Sequence, residues 1–124
     1  MILSKLAAAT LVVSVVTSPR IDPAATQHLS IHQKNVAARV YVESATDCIA
    51  RTVATDARFR KDDPAFNLGD LIVDSVPKCL VPVRDMIAVY DRYFGEGAGE
   101  DFFMGPYLDI LPNAIVNLIK TRAH

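Results

Sequence analysis

Apolar residues recur at steps of three and four along most of the chain after residue 25, which is the spacing of one face of an α-helix. From about Thr26 to Thr55 the recurring positions are Val36, Val40, Ser44 or Ala45, Cys48, Ile49 and Val53. Charged residues stand between them at Arg39, Glu43 and Arg51. The pattern predicts a long first helix that carries Val36 and Val40 on its buried stripe.

Two further helices are predicted after a charged loop, Asp56 to Asn67. Asn67 is a suitable N-cap, and the helix that follows is expected to bury Leu68, Leu71, Ile72, Val73 and Val76 until Pro77 ends or bends it. The next helix begins near Cys79 and ends at Gly95, because glycine commonly terminates helices.

The glycine-rich segment Gly95 to Gly99 predicts an acidic turn, after which a last helix starts around Glu100 or Pro106. Its apolar side includes Tyr107, Ile110, Leu111 and Leu118, and Pro112 is expected to kink it. No segment alternates apolar and polar residues long enough to predict a strand. We therefore expect an all-α fold, a small bundle of about four helices.

The N-terminus has the pattern of an export signal. A short start with Lys5 precedes the apolar run Leu6 to Val16, which is about half of the ~20 residues needed to span a bilayer. We expect residues 1–25 to be a signal peptide with an undefined cleavage site, and residues 26–124 to be one helical domain that is periplasmic or secreted. A buried core helix and an uncleaved signal anchor are the alternatives, and only the anchor would give a stable membrane span.

The two cysteines, Cys48 and Cys79, are expected to form a disulfide in an oxidising compartment. Closing a loop of 31 residues restricts the unfolded chain by roughly 3.5 kcal/mol. Neither a Cys-x-x-Cys redox motif nor neighbouring metal ligands surround either residue. The predicted role is to join the middle of the first helix to the start of the third.

Composition argues against several functions. The formal net charge is −1, with acidic and basic residues mixed along the chain, so a nucleic-acid partner is not expected. Glycines 95–99 lack the Gly-Lys-Ser/Thr of a phosphate-binding loop. Asp70 and Asp74 lie one helical turn apart, but a solvated helix face explains them better than acid/base catalysis. We expect a protein that is not an enzyme and uses no cofactor.

His28 and His32 are spaced to share one side of a helix, which makes them weak candidates for a metal site. No third ligand stands nearby in the sequence.

Most of the aromatic residues fall between Tyr90 and Tyr107. They either pack into the core around the glycine turn or form an exposed patch for a protein partner, since Tyr, Phe and Met are favoured at interface centres. The candidate patch comprises Tyr93, Phe102, Phe103, Met104 and Tyr107, with an acidic rim of Glu96, Glu100 and Asp101.

In outline, the layout resembles the small periplasmic acid-stress chaperones of Gram-negative bacteria. It is also similar to small periplasmic immunity proteins, in which a Cys followed closely by Pro opens a helix, as Cys79 and Pro82 do here. We expect an interaction module that binds a protein partner or its own second copy. The alternatives are an acid-activated holdase, in which protonation of carboxylates loosens the bundle, or a small metal-binding protein that uses His28 and His32.

Overall fold

The computed structural model describes residues 29–122. The predicted signal peptide, 1–25, and the candidate ligand His28 lie outside the described residues. The helices are α1 (Ile31–Thr55), α2 (Leu68–Ser75), α3 (Leu80–Phe94), α4 (Ala98–Phe102) and α5 (Leu108–Arg122). A 3-10 turn, Val76–Cys79, joins α2 to α3, and a π-helical turn, Phe103–Tyr107, joins α4 to α5.

The all-α prediction is confirmed for residues 29–122, which contain no strand. Because α4, the π turn and α5 run on as one helix, Ala98–Arg122, three long helices build the fold. We call this continuous element the C-terminal helix. The prediction of about four helices is slightly too high, since α2 has only 8 residues and leads through the 3-10 turn into α3.

Helix α1 begins at a reciprocal cap. The Ser30 hydroxyl accepts a hydrogen bond from the backbone N–H of Gln33 at 3.1 Å, and the Gln33 side chain accepts one from the backbone N–H of Ser30 at 2.9 Å. This capping box satisfies two donors that a helix start otherwise leaves unpaired. The end at Thr55 agrees with the prediction.

The charged loop ends at Asn67, which precedes α2 in a left-handed conformation with φ of 56°. The Asn67 side chain makes no capping hydrogen bond, so the residue marks the helix start by its backbone, not by the predicted side-chain cap. Asparagine is one of the few residues that adopt this conformation readily. Pro77 lies in the 3-10 turn where α2 ends, as predicted.

The predicted disulfide joins Cys48 to Cys79, whose Cα atoms are 5.9 Å apart. Cys48 lies in the second half of α1, and Cys79 is the last residue before α3. The bond therefore joins these helices and encloses the loop and α2. Cys79 is buried and Cys48 is half-buried.

The chain reverses at a glycine turn between α3 and the C-terminal helix. Gly97 has φ of +88°, a value that side chains with a Cβ rarely adopt. Gly99 packs so closely on α3 that a Cβ there would overlap the carbonyl group of Ile87. The Gly99 N–H also donates to Asp91 Oδ1 at 2.7 Å. A residue without a side chain is thus required where these two helices meet.

Pro106 lies inside the π turn, and α5 continues through Pro112 as α-helix. Proline lacks an N–H and its ring collides with the carbonyl of the preceding turn, so a locally wider helix accommodates it. The departure from α-helical geometry is therefore at Pro106.

Helix α1 lies at the centre, in contact with both α3 and the C-terminal helix. The buried core is drawn from all the long helices and α2: it includes Ala45, Ile49, Val53, Leu71, Met86, Tyr107, Leu111 and Ile115. The predicted buried stripe of α1 is wrong at Val36 and Val40, which are exposed. Val73 and Ile110 were also expected inside and are likewise exposed.

Candidate interaction surface

The outer side of α1 carries valines that no other part of the described chain covers. Val36 and Val40 lie one helical turn apart and are 45% and 67% exposed. Val81 on α3 and Ile110 on α5 flank them and are 73% and 54% exposed. We call these four residues the Val40 face. Single exposed apolar residues are common, but a cluster across three helices makes this surface a candidate for binding.

A groove lies on each side of Val40. One runs between α1 and α3, with a volume of about 450 Å³, and its lining includes Val40, Tyr41, Ser44, Val81, Pro82 and Asp85. The other runs between α1 and α5, with a volume of about 690 Å³, and its lining includes Val40, Val42, Glu43, Ile110, Ala114 and Leu118. Val40 is thus the crest of a ridge that separates two shallow apolar grooves.

The acidic side chain of Asp47 beside the larger groove is neutralised. Its carboxylate pairs with Arg51 on the next turn of α1, at 3.0 Å, and with Arg122 at the end of α5. These pairs are partly exposed and therefore contribute little stability. They tie the last turn of α5 to α1.

Arg39 and Glu43 are exposed and lie one turn apart on α1, beside Val40. Among residues 29–122, neither side chain has an ion-pair partner within 4 Å. The border of the Val40 face thus carries charges without an ion-pair partner in the described chain, among them Arg39 and Glu43 on α1 and Asp85 on α3.

The aromatic residues of the candidate patch divide between core and surface. Tyr107 is fully buried, and its hydroxyl is 2.9 Å from Thr46 Oγ1, which also donates to the Val42 carbonyl. Burial raises the pKa of Tyr107, and the hydrogen bond with Thr46 partly opposes that shift. Tyr107 is therefore a core residue of this fold and not a surface anchor.

Phe102 and Phe103 are half-buried. The Phe102 ring stacks on Tyr90 with centroids 3.9 Å apart, and the Phe103 ring lies 6.0 Å from that of Tyr107. Partial burial also raises the pKa of Tyr90. The Phe102–Tyr90 stack thus joins the C-terminal helix to α3, whereas the Phe103–Tyr107 contact lies within the C-terminal helix.

The remaining members of the candidate patch are accessible. Met104 is 63% exposed, Tyr93 is half-buried, and Glu96, Glu100 and Asp101 are exposed. The structure thus leaves Met104 and the acidic rim available to a partner, while the centre of the predicted patch faces inward. A role for this patch stays a prediction.

The candidate metal site is only partly described. His32 is exposed on the first turn of α1, and His28 lies outside the described residues. Within residues 29–122, no group of three or more His, Cys, Asp or Glu side chains is placed to hold a metal ion. In the same range, every buried side-chain N or O atom has a hydrogen-bond partner.

The charged loop is fixed by an arginine that sequence analysis did not single out. The Arg58 guanidinium donates to both carboxylate oxygens of Asp56 at 3.1 Å and to Asp74 at 2.7 Å. The hydrogen bonds from Arg58 lower the pKa of Asp56 from 3.8 to about 2, and those to Asp56 and Asp74 raise the pKa of Arg58. This ion-pair cluster joins the end of α1 to α2.

The C-terminal helix is long and apolar enough to cross a membrane by length and composition. Little of its apolar length is buried, although it packs on α1 and α3. The core helix of a soluble bundle passes the same test. Part of its apolar surface faces the larger groove, because Ile110, Ala114 and Leu118 line that groove.

The sequence did contain a signal for this surface. Helix α1 carries apolar residues around more of its circumference than one neighbouring helix can cover, with Val36 and Val40 on one side and Ile49 and Val53 on the other. An apolar stripe that is wider than one neighbouring helix can cover indicates either that the helix is buried on all sides or that a further binding partner covers the rest.

Comparisons with protein-family models, with curated proteins and with solved structures gave no match for this chain.

Proposed function

We propose that this protein is a non-enzymatic interaction module that binds a protein partner through the Val40 face. The observation that carries the proposal is the exposure of Val40, Val81 and Ile110 around two open grooves, with exposed Val36 one turn from Val40 on α1. The fully buried centre of a protein interface is more apolar than the rest of the protein surface, which suits exposed valine and isoleucine side chains. Shallow, open grooves suit a helix or a loop of a partner better than an enclosed small molecule.

In this proposal the protein acts outside the cytoplasm, in the periplasm or in the medium. The apolar run Leu6 to Val16 and the disulfide between Cys48 and Cys79 support export, because structural disulfides are rare in reducing compartments. Fractionation of the cells that make the protein, with mass spectrometry of its N-terminus, tests this part.

A photo-crosslinking amino acid at position 40 tests the binding proposal in those cells. Position 73 is the matched control, because Val73 is also a helical valine and is 66% exposed, against 67% for Val40. We expect position 40 to give a discrete crosslinked product that position 73 does not give. Equal crosslinking at both positions, or none at position 40, would contradict the proposal.

A second candidate function, an acid-activated holdase, is favoured by the Asp56–Arg58–Asp74 cluster. Protonation of Asp56 in strong acid would weaken its ion pair with Arg58 and loosen the end of α1, while the disulfide keeps the chain compact. The test of this function measures how far the protein suppresses the aggregation of a client protein at pH 2 to 3. Retention of native packing at that pH without protection of the client would exclude it.

A further inference from the structure

We infer that the partner of the Val40 face is a second copy of this chain, bound with the two α1 helices antiparallel. The inference rests on the proposed function and names the partner for the same surface. The charges on α1 beside Val40, Arg39 and Glu43, are complementary to themselves under a two-fold rotation.

Arg39 and Glu43 lie on the same flank of the ridge formed by Val36 and Val40, because residues four apart on a helix share a side. When two identical helices pack antiparallel, the same flank of each faces the other across the seam, whereas parallel packing brings opposite flanks together. A two-fold axis that runs between the two α1 helices, at the level midway between Arg39 and Glu43, then brings Arg39 of each copy to Glu43 of the other.

The same axis brings the apolar residues together. Val40 lies next to the axis, so the two Val40 side chains meet at the centre of the contact. Ser44 is small and exposed, which lets the helices approach closely. Val81 and Ile110 lie on the two sides of α1 in each copy. The centre of the contact would therefore be apolar and bordered by two equivalent ion pairs. This is an isologous interface, the commonest kind in homodimers.

The other charged residues that line the grooves beside Val40 include Asp47 on α1 and Asp85 on α3. Asp47 is already paired within its own chain with Arg51 and Arg122. Asp85 lines the groove between α1 and α3, whereas Glu43 lines the groove on the other flank of α1, and Asp85 has no ion-pair partner within residues 29–122. Arg39 and Glu43 are the charges that the two-fold arrangement would pair with each other. Such pairs mainly select the orientation of the partner, and like charges placed opposite each other weaken the complex.

Sedimentation equilibrium over a wide concentration range tests the inference, with the chain as recovered from the expressing cells. We expect a monomer–dimer equilibrium for the unaltered protein. Val40→Glu would weaken it at least about tenfold, because a charge would be buried at the centre of the contact. Val73→Glu, at a position of equal exposure on α2, would leave the equilibrium unchanged.

Charge exchange identifies the orientation. Arg39→Glu and Glu43→Arg would each weaken self-association about tenfold, because each places like charges opposite one another. An equimolar mixture of these two variants would dimerise again, since both cross-chain pairs become attractive. The double variant R39E/E43R would also recover the original affinity. Circular dichroism of each variant checks that the helices are intact.

Two results would overturn the inference. One is a monomer at every concentration, and the other is a dimer whose affinity does not change in Val40→Glu. A dimer that both single variants weaken but their mixture does not restore would overturn the antiparallel arrangement. None of these results decides the proposed function, which depends on the crosslinking difference between positions 40 and 73.

Discussion

The two sides of α1 carry similar apolar residues and have opposite surroundings. Val53 on the inner side is 1% exposed, while Val40 on the outer side is 67% exposed. The inner side meets α3 and the C-terminal helix, which approach it from two directions and leave the outer side open between them. The comparison shows that a valine at a helical repeat position is not buried by its spacing alone. It needs a neighbouring element to cover it.

The packing of the inner side depends on specific contacts between neighbouring helices. Tyr107 reaches Thr46 across the core, and Gly99 allows the C-terminal helix to contact α3. The outer side, as far as residues 29–122 describe it, carries the partly exposed ion pairs of Asp47 with Arg51 and Arg122. We therefore expect substitutions to affect stability on the inner side and association on the outer side.

Removal of the disulfide tests whether packing of the inner side holds the helices without a covalent bond. Replacing Cys48 and Cys79 together by Ala should lower the free energy of unfolding by about 3.5 kcal/mol, because the unfolded chain regains the freedom of the closed loop. Urea denaturation of the variant and of the oxidised parent measures the difference. Equal midpoints would mean that the packing alone sets the stability.

Gly99→Ala tests the contact between the C-terminal helix and α3. The added methyl group would overlap the Ile87 carbonyl, so the helices must separate, and we expect a loss of about 3 kcal/mol in unfolding free energy. Gly105→Ala is the matched control, because a Cβ at Gly105 meets nothing within 4 Å. Thermal denaturation of both variants should show a large decrease in Tm only for Gly99→Ala.

The same substitution on the two sides of α1 is the most direct test of the comparison. Val53→Ala should lower the unfolding free energy by about 2 kcal/mol, from lost apolar burial and the remaining cavity. Val40→Ala should change it by less than about 0.5 kcal/mol when measured on the monomer. Similar losses at both positions under dilute conditions would refute the assignment of an open outer side.

The smallest expected effect concerns pH. The pKa of Asp56 is lowered from 3.8 to about 2, so its ionised form stabilises the fold. This contribution is complete above pH about 4 and is lost as the pH falls through about 2. Asp56→Asn should lower stability at neutral pH and flatten the pH dependence in that interval. Acid titrations of variant and parent, followed by circular dichroism, measure it, and unchanged curves would contradict the role of Arg58.

Much of the fold could be predicted because the decisive signals are local. The glycine after α3, the proline after α2 and the charged loop each act on the few residues around them. The pairing of Cys48 with Cys79 also followed from the presence of only two cysteines. The side-chain cap at Asn67 was not realised, since that residue adopts a left-handed backbone instead.

The candidate surface was predicted less well because burial depends on distant parts of the chain. The rings between Tyr90 and Tyr107 were ambiguous between core and patch, and the structure places Tyr107 against Thr46, 61 positions away. No pattern near Tyr107 specifies that contact. Conversely, Val36 and Val40 of the Val40 face belong to an apolar stripe of α1 that was predicted to be buried.

The sequence by itself determined the helical character of the chain, the places where helices end and the covalent bond between α1 and the start of α3. These depend on backbone preferences, on capping, and on a cysteine pair without competitors. Only the tertiary structure decided which side of α1 is covered. Periodicity fixes the direction of each side chain around its helix, but burial depends on where the neighbouring helices cross, and for Val40 they cross on the other side.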